Sequence, residues 1–294
     1  MSSMVTSPPE LTTIVAHGRR SKRAAWLLHT RPGIAGLMLL GFVLAVALIG
    51  PLVAPHNIAQ PIGVPGAGPS SAAPLGTDFL GRDVLSRVLH GGLPVLGLSA
   101  VTIGLTYLVG LSLGLVAGLS RSLLDPAIMR AVDLFLVFPP LLLLLLLLTG
   151  AGTGTGVLII GIVLVLFPGV ARLTRTATLE VSTTGYIEAA IARGEAKVAI
   201  MRREVLPNIS QAILADLGVR FAAAISLAAS INFLGLGSKP PAANWGLMVA
   251  ENRQIVGTNL WALVVPAILL AALTVSVNLL SDAYVHSRGR SGSK

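Results

Sequence analysis

Between two long apolar runs, 157–179 and 210–235, the chain carries EAAIARGEAKVAIMRREVLP at residues 188–207, a basic segment with helical patterning. The runs set the solvent. A hydrocarbon layer of ~30 Å takes about 20 helical residues at about 1.5 Å each, and both runs reach that length. The insert sets a second limit. Packed helices are usually joined by about 2–8 residues, so a longer, patterned connection does more than link its neighbours. It has the form of a handle through which a soluble partner moves a membrane-embedded part.

Further apolar runs at 34–53, 94–119, 127–149 and 259–281 bring the expected spans to six, an all-α membrane fold. Only 11% of the 294 residues are charged and 54% are hydrophobic, whereas a soluble domain carries roughly 25% charged residues. Most of the surface therefore faces lipid. The run 34–53 exceeds a signal-peptide core, and Pro51 and Pro55 crowd the cleavage point, so it reads as an uncleaved first span. Residues 54–78, with prolines at 55, 61, 65, 69 and 74, read as an extended loop. In Phe79–His90, Leu80, Val84, Leu85, Val88 and Leu89 share one helical face, which predicts a short amphipathic helix lying in the interface. Gly104, Gly110, Gly114 and Gly118 predict close helix contact, the last three at the spacing of small-xxx-small packing. The leucine run 141–148 reads as filler for a lipid-facing helix.

Net charge is +9, but the basic residues flank the spans rather than forming a nucleic-acid surface. With the N-terminus inside, the inner segments hold Arg19, Arg20, Lys22, Arg23, Arg31, Arg121, Arg130, Arg172, Arg175, Arg193, Lys197, Arg202, Arg203, Arg288, Arg290 and Lys294. The outer segments keep only Arg82, Arg87, Lys239 and Arg253. The positive-inside rule then places both termini and the 180–209 insert in the cytoplasm. The implied organisation is a tail at 1–31 with a basic membrane-proximal patch, a transmembrane domain at 32–285, and a tail at 286–294. Outer loops are expected at 54–93 and 237–258.

The insert reads as helix, turn, helix. Tyr186–Arg193 is a helical run whose Ala189, Ala190 and Ala192 let another backbone approach closely. Gly194 breaks it, since glycine turns a helix end through a left-handed conformation at little cost. Ala196–Val205 resumes, with Val198, Met201 and Val205 along one face and Lys197, Arg202 and Arg203 around the others. Pro207 is expected to end the element and Asn208 to cap the next span.

These residues resemble a known family. Glu188-Ala189-Ala190, then Gly194, then Leu206-Pro207 are similar to the EAA motif of bacterial ABC importer permeases. Pro74–Asp78 with Gly81–Arg87, Phe233–Gly237 with Pro240-Pro241 and Asn244-Trp245-Gly246, and Asn278–Asp282 resemble further stretches of the peptide/nickel-type permeases. The resemblance covers about residues 30–285, and is strongest to the C-type member of the two-permease pairs in dipeptide, oligopeptide and nickel importers. Glu195, Lys197 and Asn232 depart from the usual pattern.

The resemblance implies a type I ABC importer permease fold of six transmembrane helices in the bacterial cytoplasmic membrane. The chain would form half of a translocation pathway for di- or oligopeptides delivered by an extracytoplasmic binding protein. Nickel or a metal chelate (an opine or metallophore) is the alternative cargo. Implied partners are a second homologous permease in a heterodimer and two cytoplasmic ATPase subunits or domains, which carry ATP and Mg. Glu188, Ala189, Ala190, Gly194, Lys197, Arg202, Arg203, Leu206 and Pro207 would form the ATPase-coupling segment. Pro240, Pro241, Asn244 and Trp245 would face the binding protein, with Trp245 also suited to an interface anchor.

No Walker-type phosphate loop occurs in the chain. The histidines at 17, 29, 56, 90 and 286 lack metal-ligand spacing, and the chain has no cysteine. No catalytic residue or metal site is therefore assigned, and no cofactor is expected in this chain. Asp216 and Arg220, at i and i+4 inside the fifth span, are either a structural ion pair or a contact for cargo. Arg130 and Asp133, at i and i+3, read as a structural pair. A secondary transporter would need paired broken-helix halves, and no inverted repeat is present. A membrane protease would need Ser–His or Asp–Asp groups on apposed helices, and no such constellation is evident.

Overall fold

A computed structural model describes residues 30–120 and 123–289. The basic residues at 19–23, Arg121, and the tail from 290 onward lie outside the described residues. Helices make up most of the described residues, the longest exception being the 54–83 loop. They are α1 (Arg31–Val53), α2 (Val84–Leu119), α3 (Leu124–Leu136), α4 (Pro140–Ala151) and α5 (Thr155–Ser182). After the insert helices α6 (Gly185–Ala192) and α7 (Lys197–Ile200) come α8 (Leu206–Phe233), α9 (Trp245–Asn252) and α10 (Trp261–Gly289). Five helical stretches are long and apolar enough to cross a membrane, and six if α3 and α4 together make one span.

Two of the expected spans differ from the sequence reading. The third, at 127–149, is not one rod: α3 and α4 meet at 83°. Pro139 and Pro140 explain the break, because the residue before a proline is pushed out of the helical region, and Pro139 is extended at ψ 132°. Its leucine run is also not simple lipid filler. Leu143, Leu144 and Leu148 are buried while Leu142 and Leu146 point outward. The second span is longer than expected. Residues 84–90 are not a separate interfacial helix but the first turns of α2, which Asp83 caps by accepting hydrogen bonds from the backbone N–H of Leu85 and Ser86. At 36 residues α2 is about 54 Å long, so it overshoots a ~30 Å hydrocarbon core and carries its capped end beyond it.

The bundle is organised around the seam between α2 and α5, which run parallel. Gly110, Gly114 and Gly118 form one stripe of α2, and opposite them stand Val170, Thr174 and Thr178 of α5. A Cβ at Gly114 would fall 2.5 Å from Thr174 Cβ and 2.6 Å from the Ala171 carbonyl oxygen. Gly104 is no part of the seam, since a Cβ there meets nothing within 4 Å. The main apolar core joins this seam to α4, α8 and the insert. A second core joins α1, the start of α2, α9 and α10. The ends of α3 and α5 are tied by Arg175 to Asp125 and by Arg172 to Asp133. Asp133 therefore pairs across helices rather than with Arg130.

Candidate functional site

The insert folds as a helix, a left-handed turn and a second helix that merges with α8. Gly194 sits at φ +76°. Its N–H donates to the Ile191 carbonyl and that of Glu195 to the Ala190 carbonyl, the paired bonds that close a helix on a left-handed glycine. The two arms are held against the protein's own core by Ile187, Ala190, Ile200 and Val205, all buried. Ala190 therefore packs inward and is not available to a partner backbone. Glu188, Ala189, Gly194, Lys197, Arg202, Arg203 and Pro207 lie on the exposed side, and Leu206 is half-buried. Of the expected apolar face, Val205 is buried and Met201 half-buried, but Val198 is 63% exposed and Ile200 takes an inward place instead. Tyr186, Ile191 and Val198 give the outer surface an apolar component among its cations. A cleft of about 240 Å³ opens beside them, lined by Leu119, Ile191, Glu195, Lys197 and Ile200. Glu195, one of the unusual residues, pairs with Arg193 at 2.7 Å.

Pro207 does not end the element. The chain is helical from Lys197 through Phe233, and the turn Met201–Val205 is widened to a π-helix. The Leu206 N–H reaches back to the Met201 carbonyl, one residue further than in an α-helix. A proline in a helix interior removes a hydrogen bond and crowds the carbonyl four residues earlier, and one wide turn accommodates both. Asn208 does not cap a span: its Nδ2 donates to the Glu204 carbonyl at 2.6 Å. The mechanical result is that Lys197–Val205 is a rigid extension of α8. A force on Arg202 or Arg203 acts on a transmembrane helix with no hinge loop between.

Asp216 lies on α8, about 15 Å from its start at Leu206. Arg220 Nε donates to its carboxylate at 3.0 Å, and Tyr107 of α2 donates its hydroxyl to the same group at 2.9 Å. The pair is only partly covered, with side-chain exposures of 24% for Arg220 and 18% for Asp216. A charge at a span centre costs about 2.5–3.5 kcal/mol on insertion scales, which explains why the two ionised groups occur together. Tyr107 was not legible from sequence, being 109 positions away from Asp216.

At the opposite end of the bundle, the residues expected to face a binding protein divide. Pro240 and Pro241, joined by a cis peptide bond, are exposed. Asn244 and Trp245 are buried. Asn244 caps α9 through the N–H groups of Gly246 and Leu247. Trp245 is no interface anchor: its ring packs on Gly91 and Gly92 and its Nε1 donates to the Val88 carbonyl at 2.8 Å. Beneath this loop lies a charge cluster missed by the sequence reading. Arg82 pairs with Asp78 at 2.7 Å and with Glu251 at 3.2 Å, and Arg87 also binds both acids, 2.8 Å from Glu251. All four are almost wholly buried. Glu251 is separated from Arg87 by 164 positions, so no local pattern announced it. The cluster clamps the 54–83 loop and the head of α2 to α9.

The chain matches the family described as "Binding-protein-dependent transport system inner membrane component" over residues 110–289. It is 34% identical over 265 residues to the "Di/tripeptide transport system permease protein DppC" of Pseudomonas aeruginosa, covering 86% of each chain. It is 33% identical to the "Glutathione transport system permease protein GsiD" of Pectobacterium atrosepticum, covering 73% of this chain and 71% of that one. A DppC of Bacillus subtilis is 31% identical, covering 88% of this chain and 82% of its own. Among solved structures, an inward-facing MetNI methionine ABC transporter chain superposes with a TM-score of 0.57 at 20% identity, covering 68% of this chain and 95% of that one. That likeness bears on the fold, which is that of a type I ABC importer permease.

Proposed function

The chain belongs to the family of binding-protein-dependent transport system inner membrane components, and from that premise we propose that it forms half of an ATP-driven pathway for di- or oligopeptides. It is a multi-pass membrane protein and a permease subunit of an ABC importer. The peptide cargo rests on relatives named for dipeptides, tripeptides and glutathione. The orientation we adopt puts the insert and both termini in the cytoplasm of a bacterial cell, with the 54–83 loop and α9 outside.

One observation carries the mechanism: the exposed cations of the insert sit on a helix that continues without interruption into α8. Two ATPase subunits, holding ATP and Mg, would seat this rod and its counterpart on a second permease. Arg202, Arg203 and Lys197 would pair with acids there, with Gly194 allowing close approach. ATP-driven closure would draw the rods together and tilt α8 as a rigid body, with the α2–α5 seam carried beside it, so that the path opens alternately to each side. The exposed Pro240-Pro241 corner would receive the binding protein.

The test is uptake of a labelled dipeptide into proteoliposomes holding the complete complex. ATP-dependent, binding-protein-dependent accumulation is the expected result. Accumulation driven by an ion gradient without ATP would replace the reading with a secondary transporter. Uptake of nickel or a chelate in place of peptides would reassign the cargo.

A further inference from the structure

Packing sorts the charges at the end of the bundle that carries the 54–83 loop and α9. Its acids, Asp78, Asp83 and Glu251, are all turned inward, with side-chain exposures of 0%, 0% and 7%. Arg82 and Arg87 are turned inward with them, and His56 lies against Asp83. Lys239 and Arg253 are left exposed, and among the described residues neither is ion-paired to an acid. The exposed full charge of this face is therefore of one sign, which the sequence, with acids and cations nearly balanced there, conceals. Both cations are tied to one place, the end of α8. Arg253 opens the short turn Arg253–Ile255 after α9, and its guanidinium lies over the Phe233 ring, 5.3 Å from the centroid. Lys239 follows Ser238, whose N–H donates to the Asn232 side chain at 2.9 Å. Asn232 is itself fixed by its Nδ2, which donates to the Ala228 carbonyl at 2.8 Å. Asn232, which departs from the usual pattern, thus anchors the turn bearing Lys239 one residue from the ring on which Arg253 rests. The exposed Pro240-Pro241 corner continues from Lys239, and Phe233 is 44% exposed. Apolar surface edged by charge is the make-up of a protein-docking surface.

We infer that Lys239 and Arg253 are the electrostatic contacts of the docking surface, and that the rim of the binding protein set against them is acidic; this rests on the importer-permease reading above and gives the partner of its Pro240-Pro241 corner a chemistry. Complementary charge at a rim acts mainly on the rate of encounter and on the choice of partner. With its acids buried, this face exposes nothing that repels an acidic rim. The Phe233 stack restrains the Arg253 side chain and the Asn232 turn restrains the Lys239 backbone, so less freedom is lost on docking. Both charges stay in solvent, where salt screens them. The grip is therefore reversible, as suits a partner that leaves after each delivery.

The experiment measures association of the transporter's own binding protein with the complete complex in phosphatidylcholine nanodiscs, by surface plasmon resonance at salt from about 50 to about 300 mM, a range that carries the screening length below about 8 Å. The parent is expected to associate more slowly as salt rises. The double variant Lys239→Glu with Arg253→Glu should associate about tenfold more slowly at low salt and lose or invert the salt dependence. Lys239→Gln with Arg253→Gln should fall between the two. Both positions are exposed, so the variants should assemble at parental yield. An association rate and salt dependence that match the parent in the Glu double variant overturn the inference and leave the importer reading standing. So does a loss that appears only in nanodiscs containing phosphatidylglycerol, since the cations would then serve lipid headgroups. A parent complex that never binds the binding protein sinks the importer reading, and the dock with it.

Discussion

Replacing Gly114 by alanine is the sharpest probe of how this bundle is held together. The added methyl falls 2.5 Å from Thr174 Cβ and 2.6 Å from the Ala171 carbonyl oxygen. Ordinary contacts between heavy atoms lie near about 3.5–4.0 Å, and both obstacles are fixed to the α5 backbone rather than to a flexible side-chain tip. The helices must therefore part by roughly 1 Å. Overpacking of this kind costs about 1–3 kcal/mol, offset by the gain of about 0.5–1 kcal/mol for alanine over glycine in a helix. Gly104→Ala, on the same helix with nothing within 4 Å, collects only the gain. The expected outcome is that Gly104→Ala is neutral or slightly stabilised and Gly114→Ala is less stable than it by about 1–3 kcal/mol. Gly110→Ala and Gly118→Ala should behave like Gly114→Ala, since Val170 Cβ and Thr178 Cβ each lie 2.6 Å from the new atom. Unfolding of the purified protein in mixed micelles of rising SDS fraction, followed by helical circular dichroism, measures the order. Equal stability of Gly104→Ala and Gly114→Ala would mean that the α2–α5 seam is not the close contact described.

Three further outcomes follow from the site geometry. Gly194→Val places a β-branched residue at φ +76°, a strain of about 1–3 kcal/mol; peptide uptake per ATP hydrolysed should fall while the protein still inserts, and an unchanged ratio counts against the coupling role. Glu251→Ala removes one acid from a buried cluster holding Arg82 and Arg87, so the folded state should lose about 3–5 kcal/mol, read as a lower SDS midpoint; an unshifted midpoint would show that the cluster is not a clamp. Trp245→Phe replaces the buried indole by a smaller phenyl ring and deletes the Nε1–Val88 bond, with an expected loss of about 2–4 kcal/mol from the lost bond and the space left behind and unchanged affinity for the binding protein; an affinity change with no stability change would restore Trp245 as a docking residue.

What was legible in the sequence follows from interactions that are local or imposed by the solvent. Apolar runs of span length, prolines in the 54–78 loop and the glycine at 194 each act within a few residues, so their consequences could be read directly. The glycine stripe at 110–118 was legible as a close-contact face, but its partner on α5 was not. The break at Pro139-Pro140 was written in the chain, yet it was masked by the unbroken hydropathy on either side. Pro207 misled for the opposite reason, because its usual effect as a stop is cancelled by a single wide turn.

By itself the sequence determined that the chain lives in lipid, how many apolar runs it offers, and that a basic helical insert lies between two of them. The tertiary structure decided which faces of that insert are free, that its second arm is continuous with α8, that Trp245 is buried, and that four charges at 78, 82, 87 and 251 share one site. The division has a physical basis: helix formation and membrane insertion answer to neighbouring residues and to the bilayer. Burial and ion pairing depend on contacts between residues far apart along the chain, and exist only once the helices have packed.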